Sequence, residues 1–549
     1  MIPYGLRNLA IAAVALFLIG LYSGEIYDPD FWWHLKTGQF IVQQHRLPVP
    51  DPFSYTTATA KPAYPGEDQT RYFNLTHEWL AQVSGYLVYA IGGFAGIVLV
   101  RALLLTAACF VAAAIITRRT KSLWWGLAGP VASGSVLAMF ATDRPTLISF
   151  LSVLVFIAAF EWRRGLWALP LLAIFWANGH GGFFLAWMVC GAYSVDALIR
   201  REKDWRKLLL VSAATFAASA LNPNGLEIIP TLLRYQRASA MTAVNMEWAP
   251  AEWWGRPYGY NILLYACLPI LAISWRKVRP ADWILFLFFA YASLTALRNE
   301  PYMGLYAPIL IASYFPWKRK LTPVLRLAGI GALMATVGFG AARGPFFQFR
   351  AGEWRYPAGA AAFLQDHHIT APIFNTFFIG GYLIWKGVPV FIDGRSLSEN
   401  VFRDHQTVLE SPPGSPARRE VLERYGIGAI VMDSYSYYPG NAFALNRAMA
   451  YPDMADWKLV YEDPQSMVFL RNPPPDLPAL PPQRIADHLE SQCRNLIEHD
   501  PEYPGCARSL GFLVRVTNPA RARRMFELYF AHAGSDAEAR AAYEELPGK

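Results

Sequence analysis

The chain has 549 residues, of which 54% are hydrophobic and only 16% are charged. This composition excludes an ordinary soluble globular protein and is typical of a polytopic membrane protein that carries a soluble part. The net charge of +8 does not indicate nucleic-acid binding, because the basic residues stand in short loops between apolar runs, where anionic lipid attracts them.

Eleven apolar runs are predicted to cross the membrane, whose hydrocarbon core is about 30 Å thick, and all of them precede residue 343. The first, from Leu9 to Tyr22, is not followed by a small-residue cleavage site, so we interpret it as a retained signal anchor. The others are predicted at residues 93–117, 122–141, 146–161, 166–182, 183–199, 207–221, 260–275, 281–297, 302–316 and 322–342.

Basic residues mark every second loop between these runs. They are Arg118, Arg119 and Lys121, then Arg163 and Arg164, residues 200–207, then Arg276, Lys277 and Arg279, and residues 318–320. The positive-inside rule places these loops, and the N-terminus, in the cytoplasm. Because the number of crossings is odd, everything after residue 342 is predicted to lie outside.

The other loops hold most of the remaining ionisable and amide residues, which include Asp28, Asp30, His34, His77, Glu78, Asp143, Arg144, Asn178, His180, Asn222, Glu247, Arg298 and Glu300. Ordinary solvated loops would carry such residues on both sides of the membrane. Ionisable groups at a membrane boundary are costly, so their gathering on one side favours an external active site.

The first external loop, residues 25–92, carries the most informative short segment. If a helix begins just after Asp28, that residue caps it, and Asp30 and His34 share one helix face. Two carboxylates and an imidazole hold a divalent cation or provide a general base, and a helix N-terminus favours phosphate. The alternative is that Asp28 only caps a juxtamembrane helix beside an aromatic belt. The loop ends in an amphipathic stretch, predicted to lie along the interface as far as Ala90.

Further short motifs recur along the chain. In order they are Asp28-Pro29-Asp30, His77-Glu78-Trp79-Leu80, Gly92-Gly93-Phe94, Arg101, Trp176-Ala177-Asn178-Gly179-His180-Gly181-Gly182, Leu221-Asn222-Pro223-Asn224-Gly225, Glu247-Trp248, Arg298-Asn299, Gly380-Gly381-Tyr382-Leu383-Ile384-Trp385 and Phe391-Ile392-Asp393-Gly394-Arg395. This order resembles the GT-C superfamily of membrane glycosyltransferases, and more narrowly a bacterial branch of it. The resemblance covers about residues 5 to 471.

The resemblance implies transfer of a sugar from a polyprenyl-phosphate or polyprenyl-diphosphate donor to a glycan, lipid or protein acceptor at the outer face of a bacterial inner membrane. An acidic residue of the first external loop would be the base, and we favour Asp30 over Asp28 because Asp30 shares a face with His34. The leaving phosphate needs cationic or hydrogen-bonding neighbours. Candidates for binding phosphate or substrate are His34, His77, Glu78, Arg101, Arg144, Asn178, His180, Glu247 and Arg298, with Arg298 and His180 preferred to Arg101.

Four of these candidates also have an ordinary interpretation. Arg101 is equally suited to pairing within a bundle, Arg144 to pairing with the adjacent Asp143, His180 to bonding backbone in a glycine-rich turn, and Arg298 to the membrane interface. A metal is left open: Asp28 and Asp30, with the nearby histidine and Glu78, are suited to Mg²⁺ or Mn²⁺, but members of the superfamily differ on this point.

Residues 343–472 are predicted to form a small external α/β domain. Helices are expected at 358–366, 381–386 and 418–425, strands at 372–376, 388–393 and 429–433, and a closing hairpin at 457–462 and 466–471. Asp393 and Arg395 follow a strand end, where α/β domains often bind ligands. They are secondary candidates for binding the acceptor or docking the domain, and an ion-paired turn is an equal alternative.

The chain ends in a proline-rich linker, residues 473–483, and a helical tail, residues 484–549. Helices predicted at 485–499, 504–516, 519–533 and 536–546 weakly resemble tetratricopeptide repeats, which would bind a protein partner or cap the preceding domain. Cys493 and Cys506 lie near the ends of adjacent helices in a compartment that permits disulfides, so we expect a bond between them.

Two other classes of function remain. One is a membrane scaffold or assembly factor that keeps the fold without catalysis and recruits partners through its external domains. The other is a transporter, which is disfavoured because polar groups lie at one end of the predicted spans and not at the bilayer midplane. The sequence leaves the sugar, the lipid carrier, the acceptor and the oligomeric state open.

Overall fold

The computed structural model describes residues 4–235, 246–251, 258–316, 322–436, 439–501 and 504–547. The basic loop predicted at residues 318–320 lies outside these ranges. The chain divides into two compact units. The first unit contains Met1–Val49 and Tyr72–Ala351, and the second contains Pro50–Arg71 and Gly352–Lys549. A segment of the first external loop therefore belongs to the C-terminal unit.

The first unit is helical, and each of the eleven predicted apolar runs contains a helix. In chain order the helices are α1 (Tyr4–Leu21), α2 (Asp30–Gln44), α3 (Glu67–Thr76, whose first residues belong to the second unit), α4 (Trp79–Thr120), α5 (Leu123–Ala138), α6 (Thr146–Trp162), α7 (Leu169–Gly179), α8 (Phe184–Ile199), α9 (Trp205–Ala218), α10 (Ile228–Tyr235), α11 (Gly259–Ile273), α12 (Pro280–Thr295), α13 (Glu300–Tyr314) and α14 (Pro323–Arg343).

Not all of these helices are long enough to cross a membrane. Among the described residues, three helical stretches have the length and hydropathy for a complete crossing, Glu67–Thr120, Gly181–Ile199 and Pro323–Arg343. Other apolar helices of the unit have 10–17 residues, and at 1.5 Å per residue a 16-residue helix covers only about 24 Å. The unit is thus a helical bundle with membrane-capable helices, and the count of eleven spans stays a prediction.

Helix α4 is the central helix of the bundle and packs against α1, α2, α5, α6, α7 and α13. Its side chains Val98, Leu105, Cys109 and Ile116 are fully buried. Gly93 has φ 58° and ψ −154°, a conformation open to glycine alone, and it separates the amphipathic start of α4 from its apolar continuation. The kink therefore lies close to the boundary that we predicted at Ala90.

The bundle end that we predicted to be cytoplasmic contains a buried ionic network. Arg119 and Arg279 each bind both Glu161 and Asp282, at nitrogen–oxygen distances of 2.6–3.0 Å. Tyr306 also donates a hydrogen bond to Asp282. Two acids at this end, Glu161 and Asp282, are thus buried and paired within the bundle.

The second unit contains a four-stranded sheet in the order β1-β2-β4-β3, with β1 (Ile373–Asn375), β2 (Ala429–Met432), β3 (Trp457–Asp463) and β4 (Ser466–Arg471). Strands β1 and β2 are parallel, and the other neighbours are antiparallel. The helices of this unit are α15 (Ala358–Asp366), α16 (Gly380–Trp385), α17 (Glu399–Glu410), α18 (Pro416–Arg424), α19 (Ala444–Ala448), α20 (Gln483–His499), α21 (Gly505–Val514), α22 (Pro519–His532) and α23 (Ala537–Glu544).

The strand predicted at residues 388–393 does not form. Its place is taken by an extended segment in which the Asn375 side chain accepts a hydrogen bond from the Phe391 amide and donates one to the Ile392 carbonyl, both at 2.8 Å. The Val390 amide donates to the carbonyl of Phe53. Buried backbone groups need partners, and here one side chain and a distant segment supply them in place of a sheet neighbour.

The tail helices pack within the second unit. A disulfide joins Cys493 of α20 to Cys506 of α21, the two cysteines between which we expected a bond. Helices α21 and α22 pack against each other, and Phe526 of α22 is buried there.

Candidate functional site

The start of α2 is fixed by Asp28, whose Oδ1 atom accepts a hydrogen bond from the Asp30 amide at 2.9 Å. Pro29 stands at the cap position and has no side chain suited to this bond. Asp28 thus caps the helix from the residue before the N-cap position, whereas we predicted it at the N-cap itself. Its carboxylate is 3% exposed, whereas that of Asp30 is 19% exposed, so Asp30 is the more accessible acid.

Arg144, in the loop between α5 and α6, binds three carboxylates. Its Nε lies 2.6 Å from Asp28 Oδ2, its Nη2 lies 3.2 Å from Asp30 Oδ2, and its Nη1 lies 2.6 Å from Glu247 Oε1. One guanidinium therefore joins three segments that are far apart in the sequence. The pairing of Arg144 with the adjacent Asp143, which we had left open, is not the one observed.

Asp143 instead pairs with Arg101, at 2.6 Å. Arg101 is buried in the middle of α4 and also donates hydrogen bonds to the carbonyls of Tyr22 and Gly24, at the C-terminal end of α1. Its donors are engaged within the protein, which favours a structural role over phosphate binding.

The environment of Asp30 raises its proton affinity. Burial is the largest cause and raises the pKa of Asp30 to about 6, aided by the negative charges of Asp28 and Glu247 and opposed by Arg144. Burial likewise raises the pKa of Asp143 to about 6. A carboxylate with a pKa near 6 is still mostly ionised at neutral pH and is a stronger base than an ordinary aspartate.

The oxygens of Asp28 and Asp30, which we left open as ligands of Mg²⁺ or Mn²⁺, all have partners within the protein. All four accept hydrogen bonds or ion pairs: Asp28 from the Asp30 amide and Arg144, and Asp30 from Arg144 and from Trp33 Nε1 at 3.0 Å. Within the described ranges no group of three or more potential metal ligands occurs. One buried oxygen, Oδ1 of Asp143, has no hydrogen-bond partner there, but Mg²⁺ requires about six ligands.

Next to these acids lies a second group, the imidazole cluster, defined as His34, His77, Glu78 and His180. Glu78 Oε1 lies 3.3 Å from His77 Nε2 and 3.8 Å from His180 Nε2, and Glu78 Oε2 lies 3.7 Å from His34 Nδ1. The four residues come from α2, the junction of α3 and α4, and the turn after α7. Three imidazoles thus surround one carboxylate.

The pKa values in this cluster follow from burial and from the central carboxylate. Burial is the main cause that lowers the pKa of His34 to about 3 and that of His180 to about 4, against the opposing charge of Glu78. Burial alone would raise the pKa of Glu78, but the neighbouring imidazoles, led by His77, hold it well below its usual range. Glu78 is therefore ionised at any physiological pH.

Trp33 was not a predicted site residue, although it touches both groups. Its ring packs on that of His34 with centroids 3.5 Å apart, and its Nε1 donates to Asp30. Ser149, also missed, lies 2.6 Å from His180 Nδ1. The Trp33 position next to the Asp-x-Asp segment was a usable signal, whereas nothing in the sequence around Ser149 marks it.

The hydrogen bonds of Asn178 give it a structural role. Its Oδ1 accepts a hydrogen bond from Trp79 Nε1 at 2.7 Å, and its Nδ2 donates to the carbonyls of Ile174 and Leu221 at 2.8 Å. These bonds join α7 to the starts and ends of neighbouring helices. Asn178 fixes the residue that follows Glu78, and it would act on a substrate only indirectly.

Among the arginines of the candidate site, Arg298 has the fewest contacts with carboxylates. Its guanidinium lies over the ring of Trp248, 4.8 Å from the centroid, and its charge acts on Glu247 and His180. In the part of the chain that the structure describes, it makes no ion pair within 4.0 Å. Its half-buried position suits it to binding an anionic ligand.

Asp393 and Arg395 lie in the second unit and bind each other. Arg395 also binds Asp51, and all three side chains are at most 3% exposed. This is the ion-paired turn that we kept as an alternative, with Asp51 as a third member that we did not predict.

No family model matches the chain, and no curated protein matches it. Solved structures do share its fold. One is the archaeal oligosaccharyltransferase AglB from Archaeoglobus fulgidus in complex with an inhibitory peptide and a dolichol-phosphate, with a TM-score of 0.55 and 11% identity over 85% of this chain and 74% of that one. Another is the Archaeoglobus fulgidus oligosaccharyltransferase in the apo form, with a TM-score of 0.54 and 11% identity over 87% and 75%. The chain thus has an oligosaccharyltransferase-like fold, in agreement with the GT-C resemblance.

Proposed function

We propose that this chain is a multi-pass glycosyltransferase of a bacterial inner membrane. It moves a sugar from a polyprenyl-phosphate or polyprenyl-diphosphate donor to an acceptor on the periplasmic face, where its second unit also lies. The observation that carries the proposal is the convergence of Asp30, Arg144 and the imidazole cluster from separate segments. The fold supports it, since a neighbour of the same fold was solved with a dolichol-phosphate and a peptide.

Asp30 is the proposed base. It is the more exposed of the two aspartates, it shares α2 with His34, and its raised pKa strengthens it as a proton acceptor. Asp28 caps the helix and holds Arg144, and Arg144 fixes the carboxylate of Asp30 at 3.2 Å. Asp28 and Arg144 are therefore positioning residues in this scheme.

The reaction is a single displacement. Asp30 accepts the proton of the acceptor hydroxyl or amide, and the freed electron pair of the acceptor attacks the anomeric carbon. The bond between that carbon and the phosphate oxygen breaks, and its electron pair leaves on the lipid phosphate. Arg298 supplies positive charge for the leaving phosphate, and the imidazoles of His77 and His180 are the candidate hydrogen-bond donors. The configuration at the anomeric carbon is inverted.

The decisive variant is Asp30→Asn, which keeps the shape of the side chain and removes the base. A strain lacking the gene would be complemented with wild-type protein, with Asp30→Asn, or with Asp204→Asn as a control. Asp204 is a 38%-exposed aspartate that pairs with Arg163 at the end predicted to be cytoplasmic. Mass spectrometry of surface glycans should show the missing sugar restored by wild type and by the control but not by Asp30→Asn.

Full restoration by Asp30→Asn would instead favour the alternative, a scaffold of the same fold without catalysis. Such a scaffold would recruit a protein partner through the helical tail that follows residue 483. A phenotype that depends on the tail but not on Asp30 would be its signature.

A further inference from the structure

Arg101 is buried in α4, and its side chain holds two of the segments that carry the candidate site. Its Nε donates a hydrogen bond to the carbonyl of Tyr22 at 3.0 Å, and its Nη2 donates to the carbonyl of Gly24. Its Nη1 donates to Asp143 at 2.6 Å. One planar guanidinium therefore joins the end of α1 to the loop between α5 and α6.

Both segments lead directly to the ion-paired acids. Gly24 lies shortly before Asp28, and Asp143 is the neighbour of Arg144 in the chain. Arg144 in turn binds Asp28 at 2.6 Å and Asp30 at 3.2 Å. The segment that carries Asp30 and the segment that carries Arg144 are thus fixed by the same buried side chain.

The first of these segments is also held by residues that follow α14. The amide of Phe347 donates to Ser23 Oγ at 2.9 Å, and the amide of Gln348 donates to the Ser23 carbonyl at 2.7 Å. The Ile26 amide donates to the carbonyl of Arg350 at 3.0 Å. Because the segment is hydrogen-bonded on two sides, it has little freedom to move, and the carboxylates that follow it are preorganised.

From this geometry we propose that Arg101 is a positioning residue. It fixes Asp30 relative to Arg144, so that the Asp30 carboxylate meets the acceptor at the distance and angle that proton transfer requires. The inference rests on the proposed function, in which Asp30 is the base. A displacement of about 1 Å is enough to slow such a step strongly. Arg101 touches no substrate in this scheme and acts only through the two segments that it joins.

The competing explanation is that Arg101 only stabilises the bundle. Arg119 separates the two explanations, because it is a second buried arginine of α4 and binds Glu161 and Asp282 at 2.8 and 3.0 Å. At 1.5 Å per residue it lies about 27 Å further along the same helix. Replacement of Arg119 should therefore lower stability without moving Asp30.

The first measurement compares Arg101→Lys with Arg119→Lys. Lysine keeps the positive charge, but one ammonium group cannot replace a guanidinium that donates in three directions. Both variants should unfold more easily than the wild type in sodium dodecyl sulfate. In a strain lacking the gene and at equal expression, Arg101→Lys should restore the surface glycan about tenfold more slowly than the wild type, and Arg119→Lys should stay within about twofold of it.

Donor binding is measured separately, with farnesyl phosphate as the probe and tryptophan fluorescence of the purified full chain as the signal. Arg101 donates to no group that the proposed reaction assigns to the phosphate. Both variants should therefore bind farnesyl phosphate as the wild type does. Slow transfer with unchanged donor binding is the pattern expected of a residue that positions the base.

A second measurement reports the position of Asp30 directly. Trp33 Nε1 donates to Asp30 Oδ1 at 3.0 Å, so a fluorine on this indole senses movement of the carboxylate. In protein labelled with 5-fluorotryptophan, the ¹⁹F resonance of Trp33 is assigned by its loss in Trp33→Phe. It should shift or broaden in Arg101→Lys and remain unchanged in Arg119→Lys. Asp143→Asn, which weakens only the contact leading to Arg144, should move the same resonance less.

Three results would overturn the inference. The first is an unchanged Trp33 resonance in Arg101→Lys or, if that variant does not fold, in Asp143→Asn. The second is an equal loss of glycan transfer in Arg101→Lys and Arg119→Lys, and the third is weakened farnesyl phosphate binding in Arg101→Lys alone. If Asp30→Asn restores the glycan fully, the proposed function fails, and the Trp33 resonance still decides whether Arg101 fixes the position of Asp30.

Discussion

Removal of Arg144 is the sharpest perturbation of the candidate site, since one side chain compensates three carboxylates. In Arg144→Ala, Asp28 loses a partner at 2.6 Å while its side chain remains 3% exposed. Stranding a buried charge in this way costs about 3 kcal/mol. The contact with Glu247 adds at most about 1 kcal/mol, because that side chain is 37% exposed and screened by solvent. We expect the free energy of unfolding of the variant at pH 7 to be about 3 kcal/mol lower than that of the wild type.

The stability lost in Arg144→Ala should become smaller as the pH falls. The pKa of Asp30 in the folded protein, about 6, already lies above its ordinary value, so protonation of this group stabilises the fold as the pH drops through 6. Without the guanidinium, which lowers the pKa of Asp30, the value rises further, and protonation rescues more of the lost stability. The difference between wild type and Arg144→Ala should therefore be smaller at pH 5 than at pH 7.

Unfolding of the purified protein by sodium dodecyl sulfate, followed by tryptophan fluorescence, measures both quantities. Arg350→Ala is the control: Arg350 pairs with Glu25 at 3.2 Å but is 70% exposed, and its loss should change stability by less than about 0.5 kcal/mol. The reasoning would be refuted if Arg144→Ala were as stable as the control at pH 7, or if its deficit grew on acidification.

Three further predictions can be tested with the same protein. Transfer activity, measured as sugar incorporation in spheroplasts, should fall about tenfold from its plateau when the pH is lowered to 5. The reason is that a base with a pKa of about 6 is then about one-tenth ionised. Activity that stays constant from pH 7 to pH 5 would exclude Asp30 as the base. Arg395→Met should destabilise the second unit by about 3 kcal/mol because it strands two buried carboxylates, and a change below about 1 kcal/mol by calorimetry would contradict this. Alkylation should label Cys493 and Cys506 only after reduction, and equal mass shifts with and without reductant would show that the bond is not formed.

The sequence predicted the helices of the first unit because their signal is local. Each apolar run is long and continuous, and each contains a helix. The Gly93 kink near the predicted boundary is also a local effect of one residue type. Sequence periodicity could not supply the length of each helix, since several helices end after 14 to 16 residues, where the backbone turns or becomes extended.

The partners of charged residues were harder to predict than the residues themselves. Pairing of Arg144 with Asp143, its neighbour in sequence, was left open as an alternative. Consecutive residues of a turn point in different directions, however, and the partners of Arg144 come from segments more than 100 residues away. The buried network at Asp282 was missed for the same reason. The extended segment at residues 388–393 has the composition of a strand, yet its hydrogen bonds go to a side chain and to Phe53.

The pairing of Asp51 with Arg395 has a consequence for biosynthesis. The two residues are 344 positions apart, and a ribosome adding 5–20 residues per second needs roughly 20–70 s to make that interval. Throughout that time the segment around Asp51 and Phe53 has no domain to join. A chaperone that shields this segment would raise the yield of intact protein, and proteolytic cleavage between the two partners during that delay would leave the second unit incomplete.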